Sequence, residues 1–397
     1  MSRSGISSVI VLLVCAAALA AGQATGSNLV RARGLGVPFD GTPGPLDAIT
    51  DVSGVEVGFT TLVRGDGPLR VGEGPVRTGV TEILPRGTKG LDPVYSAWFS
   101  LNGNGEMTGT TWVDEAGLLY GPIGITNTHS VGTVRDATIA WGVKRGSVHE
   151  DDWSLPVVAE TWDGFLNDIN GFHVKPEDVF TALDTAKGGP VMEGNVGGGT
   201  GMVCYGFKGG TGTASRVLTK EEGAYTVGVL VQCNCGRRKQ LTIAGVPVGK
   251  EIPQNEPYAG LGSSALPPGN ETRGDVGSII IVIATDAPLL PHQLKRLARR
   301  ASMGLARTGS VSGNSSGDIF FAFSTANPRA DAEPGPNSVL TVSNERITPL
   351  FAATVEATEE AIVNAMVAAK TMTGINGHTV MALPHEQLQQ VLKKYNR

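Results

Sequence analysis

Aromatic side chains are scarce in this 397-residue chain, at 6%, and charged ones make up 17%, below the roughly 25% of an ordinary globular protein. A net charge of −5 with so few aromatics leaves neither the basic footprint nor the stacking surface of a nucleic-acid binder. Cysteine occurs only at Cys15, Cys204, Cys233 and Cys235, which gives no disulfide framework and no zinc-ligand pattern. The histidines His129, His149, His173, His292, His378 and His385 are scattered, and no HExxH occurs; each reads as a surface or core histidine. Apart from one N-terminal run, no stretch is long and apolar enough to span a membrane. Glycine is what the chain has in excess, at 55 residues, about twice the usual share of roughly 7%. Gly and Pro together still fall below the roughly 25–30% that marks disorder. With 41% hydrophobic residues the chain has material for a large core, in one large or two ordinary domains.

The N-terminus reads as an export signal over residues 1–24. Arg3 supplies the leading charge, residues 6–21 are mostly apolar, and Ala18-Leu19-Ala20 fits a small-x-small cleavage site. The alternative is an uncleaved anchor, but the run is short for a bilayer span of roughly 20 residues. Cys15 follows Val14 rather than a small residue, so it is not read as a lipid attachment site.

Short β-branched runs bounded by glycine predict strands at 55–59, 93–101, within 118–132, and at 225–236. Residues 250–277 are polar and crowded with breakers, a connection too long to be ordinary inside a compact domain. The run 278–291 that follows looks like a central strand, so the sharpest boundary falls at Gly277-Ser278. A helix is expected over 291–308, with Leu294, Leu297, Ala298, Ala301 and Leu305 on one stripe and Lys295, Arg296, Arg299 and Arg300 on a solvated face. Another strand is expected at 318–327. Two helices close the chain, one beginning near Thr358 with Glu359 and Glu360 in its first turn, the other carrying Leu388, Val391, Leu392 and Tyr395. Such an order predicts sheets sandwiched by helices.

Two motifs invite over-reading. The glycines at 197–201 are followed by no G-K-[S/T], so tight turns are preferred to a phosphate loop. Residues 313–317 match G-x-S-x-G around Ser315, but a nucleophile elbow needs a strand before and a helix after, the reverse of the order here. Ser278 is different in kind. A serine at the head of a buried strand, after a loop and a glycine, suits a nucleophile released by chain cleavage. Its new α-amine, with an ordinary pKa of roughly 7.7–8.0, could act as base to its own hydroxyl. A plain loop-to-strand junction is the other reading of the same residues.

The segments G-S-I-I-I-V-I-A-T-D-A-P-L-L-P-H-Q-L, S-G-D-I-F-F-A-F-S-T-A-N, G-x-G-G-G-T-G-M, V-Q-C-N and A-E-T-W-D-G-F-L-N-D-I-N-G-F-H-V (159–174) resemble the DmpA/BapA-type serine aminopeptidases, the L-aminopeptidase/D-esterases and β-peptidyl aminopeptidases. The resemblance runs from about residue 35 to the end. It implies an αββα four-layer sandwich of the N-terminal-nucleophile type, with no metal and no organic cofactor. It also implies self-cleavage into a 25–277 chain and a 278–397 chain that stay associated, in a larger oligomer. By the same resemblance Gly277 ends the first chain, Ser278 is the nucleophile, and Asn234 helps hold the oxyanion. Ser316 and Asp318 then position and polarise the nucleophile; without it they read as a turn serine and a strand-end cap. Glu160 is the candidate for the substrate's free amine, against a surface glutamate. Trp162 stands where some members have tyrosine, so its indole is expected to line the pocket. Asp318, rather than Glu, leans toward the L-aminopeptidase/D-esterase side.

The expected protein is a periplasmic or secreted, self-processing serine aminopeptidase acting on small peptides, amides or esters. Two rivals remain at this stage: an acyltransferase of similar self-cleaving architecture, which would use threonine, and an exported binding protein that never cleaves.

Overall fold

A computed structural model describes residues 30–90, 92–257, 277–328 and 338–397. The expected leader and most of the expected 250–277 connection lie outside the described residues. In chain order the elements are β1 (Glu56–Arg64), β2 (Val76–Leu84), β3 (Val94–Gly103), α1 (Thr110–Ala116), β4 (Leu118–Leu119), β5 (Ile123–Asn127) and α2 (Val131–Arg145). Then come β6 (Val157–Thr161), α3 (Pro176–Asp184), β7 (Val203–Cys204), β8 (Phe207–Lys208), β9 (Gly210–Val217), β10 (Thr226–Asn234) and α4 (Val248–Glu251). The remainder is β11 (Ser278–Thr285), α5 (Pro291–Arg307), β12 (Gly317–Ser324), α6 (Thr348–Ala368), β13 (Met372–Thr373), β14 (Thr379–Val380) and α7 (His385–Lys394).

Two sheets carry the architecture. One has four strands in the order β1-β2-β5-β6, the other six in the order β4-β3-β12-β11-β10-β9. Val80, Leu84 and Val158 of the first sheet pack under Val134, Ala137 and Trp141 of α2 and Val179 and Leu183 of α3. Ile83, Ile123, Ile125 and Ala159 meet Leu230, Ile280, Val282 and Phe321 between the sheets. On the far side of the second sheet, Val229, Ile279, Ile281 and Phe320 pack against α5 and α6. Three apolar interfaces separate four layers, helix–sheet–sheet–helix, which is the αββα sandwich expected.

The second sheet explains why residues 278–285 read as an unbroken apolar run. β11 is buried on both faces, pairs antiparallel with β10, and runs parallel to β12 through the α5 crossover. All five expected stripe residues of α5 are buried. The expected start of the next helix near Thr358 is wrong: α6 begins at Thr348, with Pro349 in its first turn. Glu359 and Glu360 imitate a first turn because acids favour helix N-termini. Glu360 is instead a fully buried mid-helix residue whose carboxylate pairs with Arg33 and Arg216, each at 2.7 Å.

Candidate active site

Register brings the site together. β10 ends at Asn234 and β11 begins at Ser278, and the antiparallel ladder sets these two opposite each other. The parallel ladder to β12 then sets Ser278 opposite Gly317. Asn234, Ser278 and Gly317 therefore line up across three adjacent central strands, and partners across a ladder share a face. That face carries Leu230, Ile280 and Val282 and looks toward the first sheet. The Gly317 N–H donates to Ser278 Oγ at 3.1 Å, which fixes the hydroxyl at the strand's head. Ser278 is 6% exposed.

Gly277 is required by contact as well as by position. A Cβ there would lie 2.2 Å from the Asn234 carbonyl oxygen and 2.9 Å from Cys235 Cα. Any other residue would have to push β10 away from the start of β11.

The Asn234 amide is held in one orientation. Its Oδ1 accepts from the Val203 N–H at 2.7 Å and its Nδ2 donates to the Trp162 carbonyl at 3.0 Å. With the oxygen committed to a backbone N–H, the amide cannot flip, and its second N–H is left as a donor for a further acceptor. Trp162 thus holds Asn234 through its carbonyl. Its indole is half-buried, packs over Gly164 and joins a small cluster with Phe165, Leu166, Val203 and Val380.

Ser316 and Asp318 flank Gly317. The Ser316 hydroxyl donates to Asp318 Oδ1 at 2.6 Å, and both side chains are buried; by alternation they share a face, the one of Ile279 and Cys233 rather than that of Ser278 and Asn234. Glu160 sits near the end of β6, 3% exposed. Its Oε1 accepts from the Glu106 N–H at 3.0 Å, and its Oε2 accepts a short hydrogen bond from the Thr128 hydroxyl. Burial pushes its pKa up, against the pull of the Thr128 and Glu106 hydrogen bonds, with the Glu106 charge adding to the rise. Glu160 reaches the neighbourhood of Gly317 and Ser278 through Gly105, whose missing Cβ would lie 3.2 Å from both Glu160 Oε1 and Gly317 Cα. It is no surface glutamate.

The structure thus gathers Gly277, Ser278, Asn234, Ser316, Asp318 and Glu160 at one end of the sandwich, with the Trp162 backbone among them. Sequence reasoning missed Thr128, Glu106 and the Val203 N–H, which come from separate segments and act partly through backbone groups. It missed, too, that Cys204, Cys233 and Cys235 converge beside Asn234, their sulfurs all within 4.8 Å of one another.

The glycine run Gly197–Gly201 forms a buried 3-10 turn whose N–H groups are used internally: Gly197 donates to Thr61 Oγ1 and Gly198 to Thr81 Oγ1. A Cβ on Gly198 would lie 2.0 Å from Gln232 Oε1, so close approach, not phosphate binding, accounts for the run. Ser315 lies in the loop after α5 and before β12, as its neighbours predicted. His173 pairs with Asp168 at 2.8 Å, while His378 and His385 bond to backbone carbonyls.

Comparison with known proteins gives the geometry its context. The chain is 55% identical over 392 residues to β-peptidyl aminopeptidase BapA of Sphingosinicella microcystinivorans, covering 97% of each chain. It is 51% identical over 368 residues to β-peptidyl aminopeptidase BapA of Sphingosinicella xenopeptidilytica, covering 91% of each. Among solved structures it superposes on the L-aminopeptidase D-Ala-esterase/amidase of Ochrobactrum anthropi, described as a prototype serine aminopeptidase and a variant of the Ntn hydrolase fold. The TM-score is 0.84 at 50% identity, covering 92% of this chain and 99% of that one. The profile of peptidase family S58 matches residues 47–380. With Ser278 at the head of β11 inside that match and relatives alike over nearly their whole length, the chain belongs to peptidase family S58 and is a serine-type aminopeptidase of the BapA/DmpA kind.

Proposed function

We propose that the chain cleaves itself between Gly277 and Ser278 and then removes N-terminal residues from small peptides, amides or esters through an acyl-enzyme on Ser278. The alignment of Asn234, Ser278 and Gly317 across three strands is the observation that carries the reading. In the first event Ser278 Oγ attacks the Gly277 carbonyl carbon and the peptide nitrogen leaves as the Ser278 α-amine. Water then hydrolyses the resulting ester to free the Gly277 carboxylate. In turnover the same oxygen attacks the substrate carbonyl. Its proton passes to the freed amine and on to the departing amine. The Asn234 N–H steadies the oxyanion, a contribution of about 3–4 kcal/mol for one such donor.

Glu160 selects the substrate. Its carboxylate is buried beside Gly105, on the side where Gly105 meets Gly317, and an N-terminal ammonium is a natural partner for a carboxylate. Both Sphingosinicella relatives are β-peptidyl aminopeptidases, so a β-amino-acid N-terminal residue is proposed as the preferred substrate, although Asp318 by itself leans toward the L-aminopeptidase side. We further propose that residues 1–24 direct export to a periplasm or the exterior and that the two chains remain together in an oligomer. Among the described residues no helix is long and apolar enough to cross a membrane. Turnover of β-homo and L-aminoacyl p-nitroanilides, each with a free and an acetylated N-terminus, tests the proposal. Release from the free-amine substrates alone is expected, fastest for the β-series; equal release from acetylated substrates would contradict the assignment of Glu160.

A further inference from the structure

Cys204, Cys233 and Cys235 take no part in the chemistry above, yet they form the densest group of nucleophilic side chains in the described structure. All three are free and buried, at 0%, 0% and 1% exposure. Cys204 is the hub, with its Sγ 2.9 Å from that of Cys233 and 3.5 Å from that of Cys235, while Cys233 and Cys235 stand 3.8 Å apart. Their chain neighbours are the residues that hold the oxyanion amide: Val203, beside Cys204, donates to Asn234, beside Cys233. One residue further along, the Tyr205 N–H donates to the Cys235 carbonyl at 2.6 Å. Across the sheet, Cys233 lies in line with Ile279 and Asp318, and the Asp318 charge bears on its thiol.

Geometry decides what this group can become. The nearby buried amine is Lys208, whose Nζ donates to the Gly209 carbonyl at 2.9 Å and whose pKa burial lowers to about 7. A tetrahedral metal held by the three thiolates would require the Cys204 and Cys233 sulfurs to spread from 2.9 Å to about 3.8 Å, given metal–sulfur bonds of roughly 2.3 Å. A disulfide is neutral. Closing the 2.9 Å gap to a bond of roughly 2.05 Å moves each sulfur by less than about 0.5 Å.

We propose that Cys204 and Cys233 join in a disulfide when the chain folds in contact with a low-molecular-weight disulfide, that Cys235 is the exchange partner, and that the bond clamps the Val203–Asn234 contact. Cys204 thiolate attacks a sulfur of the small disulfide and expels one thiolate. Cys233 thiolate then attacks the Cys204 sulfur and expels the second. The two thiol protons end on the two released thiolates, and one small disulfide is reduced for each bond made.

The test is made on the full chain produced in two hosts, one with a reducing and one with an oxidising cytosol, so that the thiols meet the oxidant before burial closes over them. Each product is denatured in alkylating reagent and mapped by peptide mass. Expected from the oxidising host is a 204–233 cross-link that reductant reverses, with Cys235 alkylated and the unfolding midpoint above that of the reduced protein. In Cys233→Ser the cross-link moves to 204–235. All three thiols alkylated in the oxidising-host product would overturn the proposal. So would thiols shielded by a stoichiometric metal that a mercurial reagent releases.

Discussion

Asn234 closes β10 and Ser278 opens β11, and the two face each other across the antiparallel ladder with Gly277 wedged against the Asn234 carbonyl. The oxyanion donor and the nucleophile proposed here are thus positioned by strand register, the most rigid device the fold offers, rather than by loop placement. The amide's own orientation is fixed by two backbone groups, the Val203 N–H and the Trp162 carbonyl.

Gly277→Ala places a carbon 2.2 Å from a backbone oxygen that cannot swing away. The expected outcome is a folded chain that is processed slowly or not at all, read as uncut protein on a denaturing gel over time. Processing at the wild-type rate would show that the close packing has no part in the cleavage.

In the proposed mechanism Asn234→Ala removes one N–H from the developing oxyanion. A fall in kcat of about 10²–10³-fold with little change in KM is expected, the scale of one lost donor. Because Asn234 also ties Val203 to Trp162, the unfolding midpoint is measured alongside, so that loss of activity is separated from loss of fold.

Burial raises the Glu160 pKa above its ordinary value, so its carboxylate loses its charge at a higher pH than an exposed glutamate would. Protonation cancels its attraction for an ammonium, and kcat/KM is expected to fall on the acid side as pH drops through that raised value. In Glu160→Gln this acid limb disappears and kcat/KM is low throughout. A limb that persists in the variant assigns it to another group.

Asp163 offers a stability test away from turnover. Burial raises its pKa from 3.8 to about 7, against hydrogen bonds from Thr78, Asn167 and Asn127. The folded state therefore binds the proton more tightly than the unfolded chain. That contribution is whole below 3.8 and is lost as pH rises through about 7. Asp163→Asn has no proton to lose, so its unfolding midpoint is expected to gain on the wild type as pH rises across this window. Thermal unfolding of both proteins over the window decides it; parallel curves would remove Asp163 from the linkage.

The layered architecture was legible because its signals are local. β11 shows itself by β-branched residues on both faces, and α5 by an apolar stripe that the structure buries residue for residue. Ser278 stood out because a polar segment gives way to that strand within one residue. The start of α6 was misread because Glu359 and Glu360 carry the charge of a helix N-terminus, while what they serve is decided by Arg33 and Arg216, far off in the chain. The partners of Glu160 were invisible for a related reason: Glu106 contributes an N–H, which every residue but proline has, and Thr128 comes from the turn after β5. The three thiols escaped notice because Cys204 reaches Cys233 only once β7 packs beside β10.

Self-cleavage is read out by intact mass and N-terminal sequencing of the purified protein. Two associated chains are expected, the smaller running from Ser278 to Arg397 and beginning Ser278-Ile279-Ile280, with a single uncut chain in Ser278→Ala. A single uncut chain in both, or a cut at the same bond in both, would contradict it.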